Sequence, residues 1–128
     1  MKKLTVEGIV FTGEGSGKKY LSLPWVKQQI EEKLGFTPFL GTLNIKLSQE
    51  SSSRRKQLEK TGALKICPPE GYCAGLLFKA HIGKKKCAVI IPEVEGYPEN
   101  VLEVIAPTNL RLAFRLCDKD SVVVNVQA

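Results

Sequence analysis

The chain is 128 residues long, with 43% hydrophobic residues, 25% charged residues and a formal net charge of +6. Those proportions exclude a disordered or collagen-like polymer, and the length is enough to bury a core without disulfide staples, so one domain over residues 1–128 is expected. No apolar run approaches a membrane span, and Met1-Lys2-Lys3 leads into alternating residues where a signal peptide would have an apolar block, which predicts a cytoplasmic location. The positive charge favours an anionic partner and leaves nucleic acid, a nucleotide and an acidic membrane surface open. Cys67, Cys73, Cys87 and Cys117 form no CxxC pair, which argues against a zinc site and for buried free thiols. His81, the only histidine, has no ligand-type neighbour in sequence and is expected to be structural or superficial.

Residues 3–11 alternate polar and apolar side chains, with Leu4, Val6 and Val10 on one face, and predict a first strand. Gly13, Gly15 and Gly17 follow in a basic-tipped loop over residues 12–19. Pro24 suits a helix start, Val26, Ile30 and Leu34 repeat every four residues, and Gly35 suits a C-terminal cap. Residues 42–47 alternate without a fault, so Leu43, Ile45 and Leu47 should face inward and Thr42, Asn44 and Lys46 outward. Residues 49–62 are polar and read as a surface loop with a short helix around residues 54–60. Strands over residues 72–82 and 87–92 should flank a hairpin tip at Gly83-Lys84-Lys85-Lys86. Residues 101–106 predict another strand, Pro107-Thr108-Asn109 a turn and cap, and Leu110, Ala113 and Phe114 one face of a short helix. A turn at residues 118–120 precedes a final strand over residues 121–126, rich in valine. Many strands with few helices indicate a mainly β domain, a closed barrel or a sandwich.

The glycine loop departs from both familiar phosphate motifs. A Walker loop needs four residues before Gly-Lys and a Ser or Thr after it, whereas here the spacing is three and Lys19 follows. The pattern GxGxxG starting at Gly13 would need glycine where Lys18 stands. Three glycines in five residues still expose backbone N–H groups beside a lysine, which suits phosphate, while a mobile hairpin loop fits the segment equally well.

Three blocks in order resemble the archaeal CTP-dependent riboflavin kinases over most of the chain. They are Gly13-Glu14-Gly15-Ser16-Gly17-Lys18 with Tyr20-Leu21-Ser22-Leu23-Pro24, then Gly41-Thr42-Leu43-Asn44-Ile45-Lys46-Leu47, then residues 102–107 running into Leu110-Arg111. The resemblance implies a six-stranded cradle-loop β-barrel with a few short helices. It implies transfer of the γ-phosphate of CTP to the ribityl 5'-hydroxyl of riboflavin, giving FMN and CDP with magnesium as the required ion. Carried over by motif, Gly13, Glu14, Gly15, Ser16, Gly17 and Lys18 would cradle the nucleotide phosphates, with Thr108, Asn109, Leu110 and Arg111 also on the nucleotide. Thr42 and Asn44 would ligate the metal, and Glu103 would meet the ribityl end of the flavin. Family members place a threonine and an aromatic residue after the hairpin proline; here Glu95 takes the threonine's place, with Tyr97 two residues on. Either Glu95 lies at the flavin phosphate position or the loop is shifted and Tyr97 contributes.

The chemistry of these residue types agrees with those roles. Residues two apart on a strand point the same way, so Thr42 and Asn44 can offer two neutral oxygens to one ion, with most of the attraction supplied by nucleotide phosphates. A solvent-facing strand has the same pattern. Glu103 can orient the attacking hydroxyl or accept its proton, or be a plain surface carboxylate. A single-strand nucleic-acid binder should interleave basic residues with exposed aromatics, whereas Tyr20, Trp25, Phe36, Phe39 and Phe114 stand in apolar contexts that suggest core. The resemblance implies CTP/CDP and riboflavin/FMN as partners, and a monomer with neither nucleic acid nor membrane as partner is expected. A domain that senses a nucleotide or flavin without turnover and a small nucleic-acid-binding β-barrel are the alternatives.

Overall fold

The structure, a computed structural model, describes residues 3–61, 64–72 and 74–127. Its strands are β1 (Lys3–Phe11), β2 (Leu43–Leu47), β3 (Leu64–Ile66), β4 (Gly75–Ile82), β5 (Lys85–Pro92), β6 (Val101–Ile105) and β7 (Ser121–Gln127). Four helices accompany them: α1 (Ser16–Leu21), α2 (Pro24–Leu34), α3 (Gln49–Leu58) and α4 (Leu110–Phe114). Six strands close an antiparallel barrel in the order β1-β2-β6-β5-β4-β7, with β7 returning to β1, and β3 is an extra strand on β4. Closure rests on the pairing of Ala80 with Val126 and of His81 with Asn125, which leaves the six-stranded barrel without a free edge.

Alternation explains why the strands differ in sequence texture. On β1, Val6 and Val10 enter the barrel core while Thr5, Glu7 and Ile9 are exposed, so the strand alternates cleanly. On β5, Cys87, Val89 and Ile91 enter the same core while Ala88 and Ile90 join a second apolar cluster outside the barrel. That second cluster contains Leu21 of α1, Val26 and Ile30 of α2 and Ile66 of β3. Residues 87–91 of β5 are therefore buried on both faces and read as an unbroken apolar run. Each fully buried Val, Ile or Leu contributes about 1.5–3 kcal/mol of transfer free energy, so the two clusters together dominate the stability.

The predicted helix from Pro24 holds, with Gly35 in the left-handed conformation at its C-cap. Asn109 caps α4 by accepting from the Leu112 N–H. Other expectations need correction. The basic-tipped loop gives way to a helix at Ser16, because Gly15 at φ 87° turns the chain into α1. Helix α3 begins at Gln49, five residues before the predicted start, because Ser48 caps it through the Ser51 N–H. Strand β4 begins at Gly75 rather than residue 72. Ala113 is exposed rather than on the packed face of α4. Cys87 is buried, and burial pushes its thiol up to about 12, but Cys67 and Cys117 are exposed; Cys73 lies outside the described residues. Tyr20, Trp25, Phe36 and Phe114 are only half-buried and Phe39 is exposed. Among the described residues no helix is long and apolar enough to cross a membrane.

Candidate active site

Strand register assembles the first part of the site. Phe11 on β1 stands opposite Asn44 on β2, Asn44 opposite Glu103 on β6, and Glu103 opposite Ile90 on β5, a row across four strands. Leu102 and Val104 point into the barrel, so Glu103 between them projects from its outer face, where it is nonetheless 92% covered, at 8% relative exposure. Thr42 lies two residues before Asn44 and shares its side of the strand. Its hydroxyl donates to Oε1 of Glu103 at 2.9 Å and lies 3.5 Å from Oδ1 of Asn44.

The glycine loop covers this row. A Cβ on Gly13 would stand 2.7 Å from Nδ2 of Asn44. A Cβ on Gly17 would stand 2.5 Å from Oε1 of Glu103 and 2.6 Å from Oγ1 of Thr42. Glycine at both positions is thus explained by close approach, and the conformational freedom of Gly15 by its positive φ. The N–H groups in the first turn of α1 have no intrahelical acceptor, which leaves donors facing outward beside Lys18.

Three connected hollows meet here. A cleft of about 590 Å³ is lined by all of residues 11–18 together with Thr42, Asn44, Tyr97, Glu103 and Arg111. A smaller hollow of about 140 Å³ is lined by Phe39, Gly41, Thr42 and residues 108–111, so Thr108, Asn109 and Leu110 reach the site from this side. A third of about 370 Å³, walled mainly by Tyr20, Leu21, Ile90, Pro92, Val94 and Pro98, is apolar, with Thr42, Tyr97 and Glu103 at its polar edge. Among the described residues only Thr42 lines all three.

Arg111 donates to the Phe11 carbonyl at 3.0 Å and to Asp118 Oδ1 at 2.7 Å, and Thr12 Oγ1 donates to the same carboxylate. These bonds hold the Asp118 carboxyl below its ordinary range, with the Arg111 bond the larger cause and that of Thr12 the next. They also tie the start of the glycine loop to α4 and to the turn before β7.

Tyr97, from the segment joining β5 and β6, donates its hydroxyl to Oε2 of Glu103. Burial, then its hydrogen bond to Glu103 and that carboxylate's charge, push the Tyr97 pKa well above the ordinary phenol value, while Arg55 opposes the shift. The hydroxyl therefore keeps its proton and acts as a fixed donor. Glu95 is exposed in the same segment and lines none of the three hollows. Arg55 is a residue that sequence reading missed: it is buried on α3 with its guanidinium 5.5 Å from the Tyr97 ring centroid. A signal was available, because Ser51, Arg55 and Leu58 occupy i, i+4 and i+7, the spacing of a buried helical stripe.

The oxygens present suit a hard divalent cation only in part. Two cis ligands of an octahedron at about 2.1 Å lie roughly 3 Å apart, close to the 3.5 Å between Thr42 Oγ1 and Asn44 Oδ1. Among the described residues no cluster of three or more His, Cys, Asp or Glu could hold a metal. The pair therefore fits an ion whose remaining ligands come from water and a polyphosphate.

Residues 10–126 match the family model CTP-dep_RFKase, described as Domain of unknown function DUF120. The chain is 40% identical over 131 residues to a riboflavin kinase of Methanosarcina barkeri, covering 97% of this chain and 57% of the relative. It is 42% identical over 126 residues to a riboflavin kinase of Pyrobaculum aerophilum, covering 93% and 59%. Against that of Ignicoccus hospitalis it is 37% identical over 129 residues, covering 98% and 72%. The chain thus spans little more than half the length of the first two relatives. With the match running from the end of β1 to the last strand and including every residue of the glycine loop and of the row behind it, the chain belongs to the CTP-dependent riboflavin kinase family.

Proposed function

We propose that this chain transfers the γ-phosphoryl group of CTP to the 5'-hydroxyl of riboflavin, giving FMN and CDP, with magnesium as the bound ion. The observation that carries the reading is the meeting of the glycine loop, Thr42, Asn44 and Glu103 at the junction of a polar cleft and an apolar hollow. The polar cleft takes the triphosphate, with Gly13, Glu14, Gly15, Ser16, Gly17 and Lys18 along it and Thr108, Asn109, Leu110 and Arg111 toward the nucleoside. The apolar hollow takes the isoalloxazine ring.

Glu103 stands between the two. Its carboxylate orients the ribityl hydroxyl and accepts its proton as that oxygen bonds to the γ-phosphorus and the bond to the β-bridging oxygen breaks. Thr42 and Asn44 hold the ion, whose charge, when it is bound, offsets that of the phosphates. Gly17 keeps the loop backbone close enough to enclose the transferring group and exclude water. Tyr97, rather than Glu95, serves the acceptor side, because its hydroxyl is at Glu103 while Glu95 faces solvent.

The test incubates the protein with riboflavin, magnesium and each of CTP, ATP, GTP and UTP, and measures FMN. FMN is expected with CTP, in a reaction abolished by chelating the ion. No FMN with any donor overturns the kinase reading; CTP binding without turnover would assign the chain to ligand sensing.

A further inference from the structure

Arg55 is 2% exposed, yet its charge is thinly compensated. Its terminal nitrogens donate to the Glu99 carbonyl at 3.1 Å and approach Glu59 at 3.9 Å, the latter a half-exposed partner; Nε is buried without a hydrogen bond among the described residues. Burying a guanidinium with so few acceptors costs stability, and an apolar residue of similar volume on this face of α3 would be cheaper. What the guanidinium does gain is the face of the Tyr97 ring. The neighbouring Lys56 pairs with the Glu99 side chain at 3.0 Å, so two consecutive residues of α3 grip the segment that carries Tyr97. Backbone bonds tie the two ends of that segment to its neighbours, from the Glu93 N–H to Ala74 and from the Leu47 N–H to Asn100, while around Tyr97 itself there are turn bonds from the Tyr97 N–H to Val94 and from the Val101 N–H to Pro98.

The end of this chain of contacts is the reacting carboxylate. Tyr97 occupies Oε2 of Glu103 and Thr42 occupies Oε1, so the plane of the carboxylate is set by two hydroxyl donors. Each oxygen keeps a further lone pair for the acceptor hydroxyl. We infer that Arg55 and Tyr97 are positioning residues of the phosphoryl transfer: Arg55 fixes the Tyr97 ring, and the Tyr97 hydroxyl fixes the Glu103 carboxylate against the acceptor. The inference rests on the kinase reading above. Neither residue needs to touch the phosphates, and Arg55, lying behind the ring, acts only through Tyr97.

A double-mutant cycle on the full chain tests this. Tyr97→Phe keeps the ring and removes the donor; it should lower kcat about tenfold, a fraction of the hundredfold that a misplacement of about 1 Å can cost. Its KM for CTP should stay within about threefold, since the triphosphate contacts are untouched. Arg55→Met should lower kcat comparably, and Arg55→Lys, which keeps a cation over the ring, should recover part of the loss. In the Tyr97→Phe background Arg55→Met should cost nothing further in kcat, because the hydroxyl it served is gone. Losses that multiply, or an Arg55 variant that melts earlier with unchanged kcat, overturn the inference while leaving the kinase reading intact. If Arg55→Met fails to fold, the cycle run with Arg55→Lys decides by the same criterion. Absence of FMN from the unaltered protein overturns both together.

Discussion

The two walls of the site are built by different means. The proposed nucleotide wall is closed by direct apposition: Gly13 rests on Asn44 and Gly17 on Thr42 and Glu103, with no room for a single added carbon. Its backing residues sit in a strand row whose register is set by the barrel itself. The proposed acceptor wall instead depends in part on the irregular segment between β5 and β6, which lines the apolar hollow with Val94 and Pro98, reaches Glu103 through Tyr97 and is held from behind by a helix outside the barrel. A wall made of strands and glycines should tolerate almost no change, whereas a wall held at a distance can be loosened by degrees.

The largest expected effect comes from Gly17→Ala. Alanine favours a helix over glycine by about 1 kcal/mol, so α1 itself should survive, but the new methyl group would displace the helix from Thr42 and Glu103. FMN formation should fall about a hundredfold or more, with the folded state retained in thermal melting; undiminished turnover would show that the loop does not bear on the pair. Next comes Glu103→Gln, which keeps the shape and one acceptor but cannot take the proton. Turnover should fall about 10²–10⁴-fold, while riboflavin binding, followed by flavin fluorescence, changes by less than about threefold. Equal losses in turnover and riboflavin binding would make Glu103 a binding residue and merge the two walls.

The smallest effect is expected at the outer margin, from Asp118→Asn. The Arg111 bond is solvent-exposed, so turnover should stay within about twofold and the Tm should drop only slightly. Because Arg111 and Thr12 lower the Asp118 pKa in the folded state, the pair's contribution is complete above the ordinary carboxylate value of about 3.9 and is lost as the pH falls through the lowered one. The difference in Tm between the two proteins should therefore be constant near neutrality and close on acidification below about pH 4. A gap that persists in strong acid would mean that Asp118 acts through its shape and not its charge.

Much of this was legible along the chain. The β1 and β2 alternations, the Pro24 start and Gly35 stop of α2, and the Asn109 cap are local events, decided by side chains within a few residues of one another. The resemblance of the three motif blocks pointed to the right family, although the residues alone left Thr42 and Asn44 indistinguishable from a solvated strand face. The start of α3 was missed because Gln49 to Ser53 is polar on all sides and is stabilised by a cap and by packing on β1, not by an apolar stripe of its own. The exposed positions of Cys67 and Cys117 were missed because thiols carry no sign of which loop they will occupy.

By itself, then, the sequence determined most of the strands, helix α2, the glycine positions and the polar pair two residues apart, since each follows from backbone geometry over a short span, whereas α1 and β3 did not show in it. Only the tertiary structure decided that Glu103 stands opposite Asn44 from 59 residues away, that Tyr97 and not Glu95 meets it, and that Arg55 backs the ring. Barrel closure brings strands into register through pairings no local pattern encodes, and a buried arginine looks like any surface arginine until the segment that covers it is in place.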